Sequence, residues 1–148
     1  MKKWVTTIIC SFILSISLLV PAHSASAASA DSVIAEAQKY IGTPYRWGGT
    51  TPKGFDCSGF IQYAHKQVGI HLPRTAAQMY QKGTAVEKSA MQPGDLIFFS
   101  TYKKGASHVG IYLGNNEFIH SASKGVRIDK VSNSYYQKRY LGSKRIAQ

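Results

Sequence analysis

The chain has 148 residues, with 18 lysines and arginines against seven acids, a formal net charge of +11 and a sequence pI near 9.8. That length suits one domain with a modest core, and neither an internal repeat nor a second composition regime argues for another. Two cysteines, Cys10 and Cys57, exclude a disulfide-rich scaffold.

Met1-Lys2-Lys3 is a basic leader, Ile8 to Val20 is apolar, and Pro21 opens a run of small residues from Ala22 to Ala28. This is the pattern of a secretory signal peptide, residues 1–27, leaving 28–148 as the domain. The apolar run is too short for a stable membrane span. Cys10 raises a lipid-anchor alternative, but bulky Ile9 argues against it, so no stable membrane anchor is expected. Removing residues 1–27 takes away two lysines and Cys10, which lowers the net charge to +9 and leaves Cys57 as the single thiol. An exported chain with one thiol cannot close an internal disulfide, so Cys57 is either an intermolecular link or a reactive group. Outside a cell the polyanions that fit the charge are wall polymers or anionic membrane, and no nucleic acid is expected; solubility alone would also account for it.

Residues 28–30 read as a tether and Asp31 as the cap of a first helix, with Val33, Ile34, Ala37 and Ile41 on its buried side. Gly42-Thr43-Pro44 ends it, and a glycine-rich loop carrying Tyr45 and Trp47 leads to Phe55-Asp56-Cys57-Ser58-Gly59-Phe60. Asp56 caps a second helix whose stripe is Phe60, Ile61, Ala64 and Val68, with Gly69 as its stop. Thr75 to Gln81 is a short helix. From Thr84 the periodicity changes: Asp95 to Phe99 reads as a buried strand, and Ser107 to Leu113 with Glu117 to Ser121 as a hairpin. Gly125 to Asp129 is a further strand, and Leu141 to Ile146 a last edge strand guarded by Lys144 and Arg145. The fold class is α+β, with N-terminal helices packed on a curved antiparallel sheet of about five strands.

A thiol at a helix start is favoured as thiolate by the free N–H groups, but the Asp56 charge opposes this, so a nearby imidazolium is needed. Of the four histidines after residue 27, His65 reads as a surface or rim residue and His71 as a loop residue beyond Gly69. His108 and His120 share the hairpin. A three-residue loop of Gly114, Asn115 and Asn116 would pair Leu113 with Glu117, and side-chain alternation then puts both imidazoles on one face. A loop one residue shorter or longer would separate them. In that register His108 can act as base while His120 holds its ring. Zinc held by Cys57, His108 and His120 is the competing chemistry, but no Cys-x-x-Cys or His-Glu-x-x-His element supports it, and no carboxylate is read beside either histidine on its strand face. No metal and no cofactor are expected.

Asp56-Cys57-Ser58-Gly59-Phe60, Leu72-Pro73-Arg74-Thr75, Pro93-Gly94-Asp95-Leu96 and His108-Val109-Gly110-Ile111-Tyr112, in that order, resemble the NlpC/P60 family of cell-wall peptidases, from about Ser32 to Ile146. The resemblance implies a papain-like fold, with Cys57 as nucleophile, His108 as base and His120 as the orienting residue. It also implies that Tyr45 reaches the reacting centre and that Asp56, Ser58 and Trp47 hold a free amine of the substrate peptide. Ala76 stands where some members carry a substrate-touching serine. The implied activity is a secreted, wall-associated, monomeric endopeptidase that cuts peptidoglycan stem peptides or muropeptides between γ-D-glutamate and the diamino acid. An amidase cutting between sugar and peptide, and a non-catalytic cationic protein that binds anionic wall polymers, are the alternatives.

Overall fold

The structure, a computed structural model, describes residues 25–146. The segment 1–24, which holds most of the expected signal peptide, lies outside the described residues. Helix α1 spans Ala25–Gln38, so residues 28–30 are helical rather than a tether and Asp31 lies within the helix rather than capping it. Val33 and Ala37 are buried, whereas Ile41, beyond the helix end, is exposed.

The short strands β1 (Thr50–Thr51) and β2 (Gly54–Phe55) form a small ribbon leading into α2 (Cys57–Gln67). The Asp56 side chain accepts from the Gly59 N–H at 2.6 Å and caps α2. Phe60, Ile61 and Ala64 are fully buried along its inner face, and Gly69, at a left-handed φ of +83°, turns the chain out of the helix. His65 departs from its expected surface position. It follows Cys57 and Ile61 at four-residue intervals, so it shares the inner stripe, with Nδ1 2.8 Å from the Ile61 carbonyl and 2% of its surface exposed. Helix α3 (Ala76–Tyr80) opens on a reciprocal capping box between Thr75 and Gln78.

Six strands then build one antiparallel sheet: β3 (Thr84–Val86), β4 (Leu96–Phe99), β5 (His108–Gly114), β6 (Glu117–Ala122), β7 (Gly125–Lys130) and β8 (Tyr140–Arg145). Their order is β3-β8-β4-β5-β6-β7. The last strand is therefore interior, not an edge, because the three residues of β3 add on outside it. Its cations are occupied: Arg145 pairs with Asp95 at 2.8 Å and Lys144 sits over the Tyr80 ring.

All four side chains of β4 are buried, in alternation. Leu96 and Phe98 join Val109, Ile111 and Ile119 beneath α1, α2 and α3, whereas Ile97 and Phe99 join Phe118 and Tyr136 on the other face. Tyr136 belongs to the short helix α4 (Ser134–Gln137), which covers that second, aromatic face.

Candidate active site

The hairpin reaches the expected register by a different route. Ile111 faces Ile119 and Tyr112 faces Phe118, but Gly114 rather than Leu113 faces Glu117, so Leu113 is a bulge. The turn itself has two residues, Asn115 (φ +50°) and Asn116 (φ +64°), both in the left-handed region that asparagine tolerates. A two-residue turn alone would have shifted the pairing by one and put His108 and His120 on opposite faces; the bulged Leu113 restores it. His108 Nε2 lies 2.7 Å from His120 Nδ1.

Both imidazoles project from the aromatic face, opposite the one that carries α2. Phe99 stands beside His108, Phe118 beside His120, and the Tyr136 ring stacks on His108 and meets His120 edge-on. Cys57 arrives from the helix side, at the point where β5 begins. Its Sγ–H donates to the carbonyl of Ser107 at 3.7 Å, the residue before His108, and Cys57 and His108 line one cavity of about 380 Å³.

Several backbone contacts hold Cys57 there. The Ser121 hydroxyl donates to the Phe55 carbonyl at 2.9 Å, tying β6 to the turn before α2. The Tyr45–Trp47 loop is laced to the same turn through Phe55 N–H to Pro44 O, Arg46 N–H to Phe55 O and Asp56 N–H to Gly49 O. A methyl group on Gly59 would run into the Gly49 carbonyl, so only glycine lets that loop close over the first turn of α2.

Burial and the Asp56 charge push the Cys57 thiol above its usual range, against the pull of the N–H groups of Val109, Ser58 and Cys57 itself. Burial and the neighbouring His120 push His108 down to about 3. The resting pair is therefore a neutral thiol and a neutral imidazole, not the ion pair expected from the helix start, because desolvation outweighs the helix field.

A carboxylate does stand beside the histidines, from the neighbouring strand. Asp129 on β7 lies 2.9 Å through Oδ2 from His120 Nε2, and Arg127 Nε and Nη2 donate to that same oxygen at 2.8 and 2.6 Å. Burial acts to raise Asp129, but the bonds from His120 and Arg127 prevail and hold its carboxyl below the usual range.

On the other side of Cys57 a second cavity, of about 340 Å³, is lined by Asp56, Ser58 and Arg74 among others. Arg74 donates through Nη2 to Asp56 Oδ2 at 2.6 Å and through Nη1 to Ser58 Oγ at 2.9 Å. The Asp56 and Ser58 side chains expected to hold an amine are thus already engaged by a cation. Tyr45, Trp47 and Tyr102 line both cavities beside Cys57, and Trp47 meets Tyr102 edge-on at 5.7 Å although 75% exposed. Burial, then repulsion from Cys57 wherever that thiol ionises, raises the Tyr45 hydroxyl, which keeps it a proton donor. Sequence reasoning missed Asp129, Arg74, Tyr102 and Tyr136. Among the described residues no group of three His, Cys, Asp or Glu side chains is arranged to hold a metal ion.

Residues 42–145 match the NlpC/P60 family, which takes in the thiol, both hairpin histidines and Asp129. The chain belongs to the NlpC/P60 family. An NlpC/P60 family protein from Bacillus cereus ATCC 10987 superposes with a TM-score of 0.75 at 39% identity, over 80% of this chain and 40% of that one. The probable peptidoglycan endopeptidase LytE of Bacillus subtilis is 49% identical over 114 residues, 76% of this chain and 33% of LytE. The murein DD-endopeptidase MepH of Escherichia coli is 44% identical over 136 residues, 86% of this chain and 50% of MepH. This NlpC/P60 chain thus spans about a fifth to a half of the length of the curated relatives it matches.

Proposed function

We propose that the protein is a cysteine peptidase that hydrolyses peptidoglycan stem peptides, cutting between γ-D-glutamate and the diamino acid, with Cys57 as nucleophile, His108 as general base and His120 as its orienting partner. The observation that carries this reading is the 2.7 Å His108–His120 bond on the wall of the cavity that also exposes the Cys57 thiol. His108 spends Nε2 on His120, so Nδ1 is the nitrogen free to exchange a proton with Cys57 and substrate.

Because both partners rest neutral, the proton leaves Sγ for His108 as sulfur attacks the peptide carbonyl. The developing oxyanion takes hydrogen bonds from the Cys57 backbone N–H and the Tyr45 hydroxyl, and loss of one such donor costs about 10²–10³ in rate. His108 passes its proton to the leaving amine, giving a thioester, and water activated by His108 then cleaves the thioester and restores the thiol. The aromatic cage buries the histidines on the side away from the cavity and keeps the base uncharged until the transfer.

Asp56, Ser58 and Trp47 are proposed to line the substrate side, with Arg74 fixing the first two. Residues 1–27 are proposed to direct export to the wall, leaving 28–148 as the enzyme; no described helix is long and apolar enough to cross a membrane. The similarity to MepH favours a second reading, in which the scissile bond lies in a D,D cross-link.

Product masses from defined muropeptides decide between the two bonds and an amidase cut between sugar and peptide. Cys57→Ala is expected to abolish every product. Equal cleavage by Cys57→Ala, or intact substrates with the native chain, would overturn the proposal.

A further inference from the structure

We infer that Asp129 is a positioning residue for this hydrolysis: through one hydrogen bond to His120 it decides which nitrogen of His108 is left free to serve as base. The inference rests on the roles proposed above for Cys57, His108 and His120, and adds a fourth side chain to them.

The argument follows the protons along a chain of contacts. Asp129 Oδ2 takes two N–H bonds from Arg127, a partner that cannot give up its proton, so the carboxylate can only accept. His120 Nε2, 2.9 Å from that oxygen, must therefore carry the hydrogen. His120 is fully buried among Phe118, Tyr136 and His108, a setting that favours the neutral ring. A neutral ring with hydrogen on Nε2 presents a lone pair at Nδ1. His108 Nε2, 2.7 Å away, must then be the donor across that contact. One tautomer of His108 satisfies this, with hydrogen on Nε2 and a lone pair on Nδ1. Asp129 thus sets the base two links away, without touching sulfur or substrate.

The local sequence makes the arrangement rigid. Strands β6 and β7 pair His120 with Arg127 and Phe118 with Asp129, so the carboxylate reaches back diagonally to the imidazole while Arg127 clamps it from the same strand. Without Asp129, His120 could carry its hydrogen on either nitrogen. In the wrong tautomer it would donate to His108 Nε2 and leave a hydrogen on His108 Nδ1, blocking proton acceptance from Cys57.

Asp129→Asn tests this, since it keeps the side-chain volume while offering His120 either an acceptor or a donor. Where a buried carboxylate touches the base directly, its replacement by an amide costs about 10⁴ in kcat, and one imidazole further away a loss of roughly 10- to 100-fold is expected. KM should stay within about twofold, because Asp129 lines neither cavity beside Cys57. Ring-nitrogen NMR on histidine-labelled protein should show the His120 proton on Nε2 in the native chain and a mixture of tautomers in Asp129→Asn. Native kcat in the folded variant, or a His120 proton on Nδ1 in the native chain, overturns the inference. If Asp129→Asn does not fold, the tautomer in the native chain still decides. A native chain that cleaves no muropeptide defeats the peptidase reading instead, and leaves the tautomer measurement standing.

Discussion

Adding a single methyl group at Gly110 should separate the effects of imidazole geometry from those of substrate binding. Gly110 lies on β5 just before the Ile111–Ile119 pair, close to His120, and its backbone is not in the left-handed region, so an alanine brings no conformational strain of its own. The added Cβ would lie 2.8 Å from Phe118 Cδ2, 2.9 Å from the Ile119 carbonyl oxygen and 3.3 Å from His120 Cβ. Carbon contacts of this kind relax at about 3.5 Å, so β6 must yield by roughly half an ångström. Forcing a methyl into a packed interior costs about 1–3 kcal/mol. For a domain of this size that is a fall of about 3–10 °C in melting temperature. The same displacement stretches the 2.7 Å His108–His120 bond to about 3.2 Å, the outer edge of a good hydrogen bond. If a 1 Å error costs about 10²-fold, half of that predicts a loss of roughly 10-fold in kcat for Gly110→Ala. KM should hardly move, because neither cavity beside Cys57 is lined by residue 110. Thermal melts and steady-state kinetics on one muropeptide measure both quantities. A variant with native melting temperature and native kcat would show that the packing between Gly110 and His120 does not govern the site.

The acid stability of the fold should depend on His65, whose burial lowers its pKa from 6.5 to about 4. Between those values the unfolded chain binds the proton and the folded chain does not, so stability present above pH 6.5 is lost as pH falls toward 4, by up to about 3 kcal/mol. His65→Leu should flatten the fall in melting temperature between pH 7 and 4 and leave turnover at pH 7 unchanged; an equally steep fall in the variant refutes this. The pH–rate profile follows from the neutral Cys57–His108 pair. With His108 lowered to about 3 and the thiol raised, kcat/KM should lack an acid limb between pH 6 and 7, and an alkaline limb should lie above the usual thiol range. A limb near pH 6.5 in protein that circular dichroism shows to be folded would restore the thiolate–imidazolium pair.

The elements that carry their own punctuation are legible from the residues alone. Asp56 and Gly69 bracket α2, and the stripe of Phe60, Ile61 and Ala64 sets its buried face. Strand β4 reads as a buried run because both of its faces are covered. What escapes is decided by chain-distant neighbours. Thr84–Val86 is too short to announce a strand, yet once added it moves β8 from the edge to the interior. His65 looks like a rim residue on a helical wheel, and only the packing of α2 against the sheet buries its ring and turns it onto the Ile61 carbonyl.

The site divides along the same line. Cys57, His108 and His120 can be found from the motif and the parity of one hairpin, although the parity came out right through a bulge at Leu113 that no residue in the turn foretells. Asp129 was within reach of the same arithmetic. Once Gly125 to Asp129 is accepted as a strand, a two-residue turn of Ser123 and Lys124 pairs Ala122 with Gly125, and counting back puts Arg127 opposite His120 and Asp129 opposite Phe118. That places an acid and its clamp on the imidazole face from sequence alone, provided carboxylates are sought on the adjacent strand as well as on the histidine's own. Arg74 could not have been counted out in this way. It reaches Asp56 across 18 residues and the loop between α2 and α3, and nothing in the local pattern says that a cation will occupy the acid expected to hold an amine. Register carries strand-borne partners into view; loop-borne partners wait for the tertiary fold.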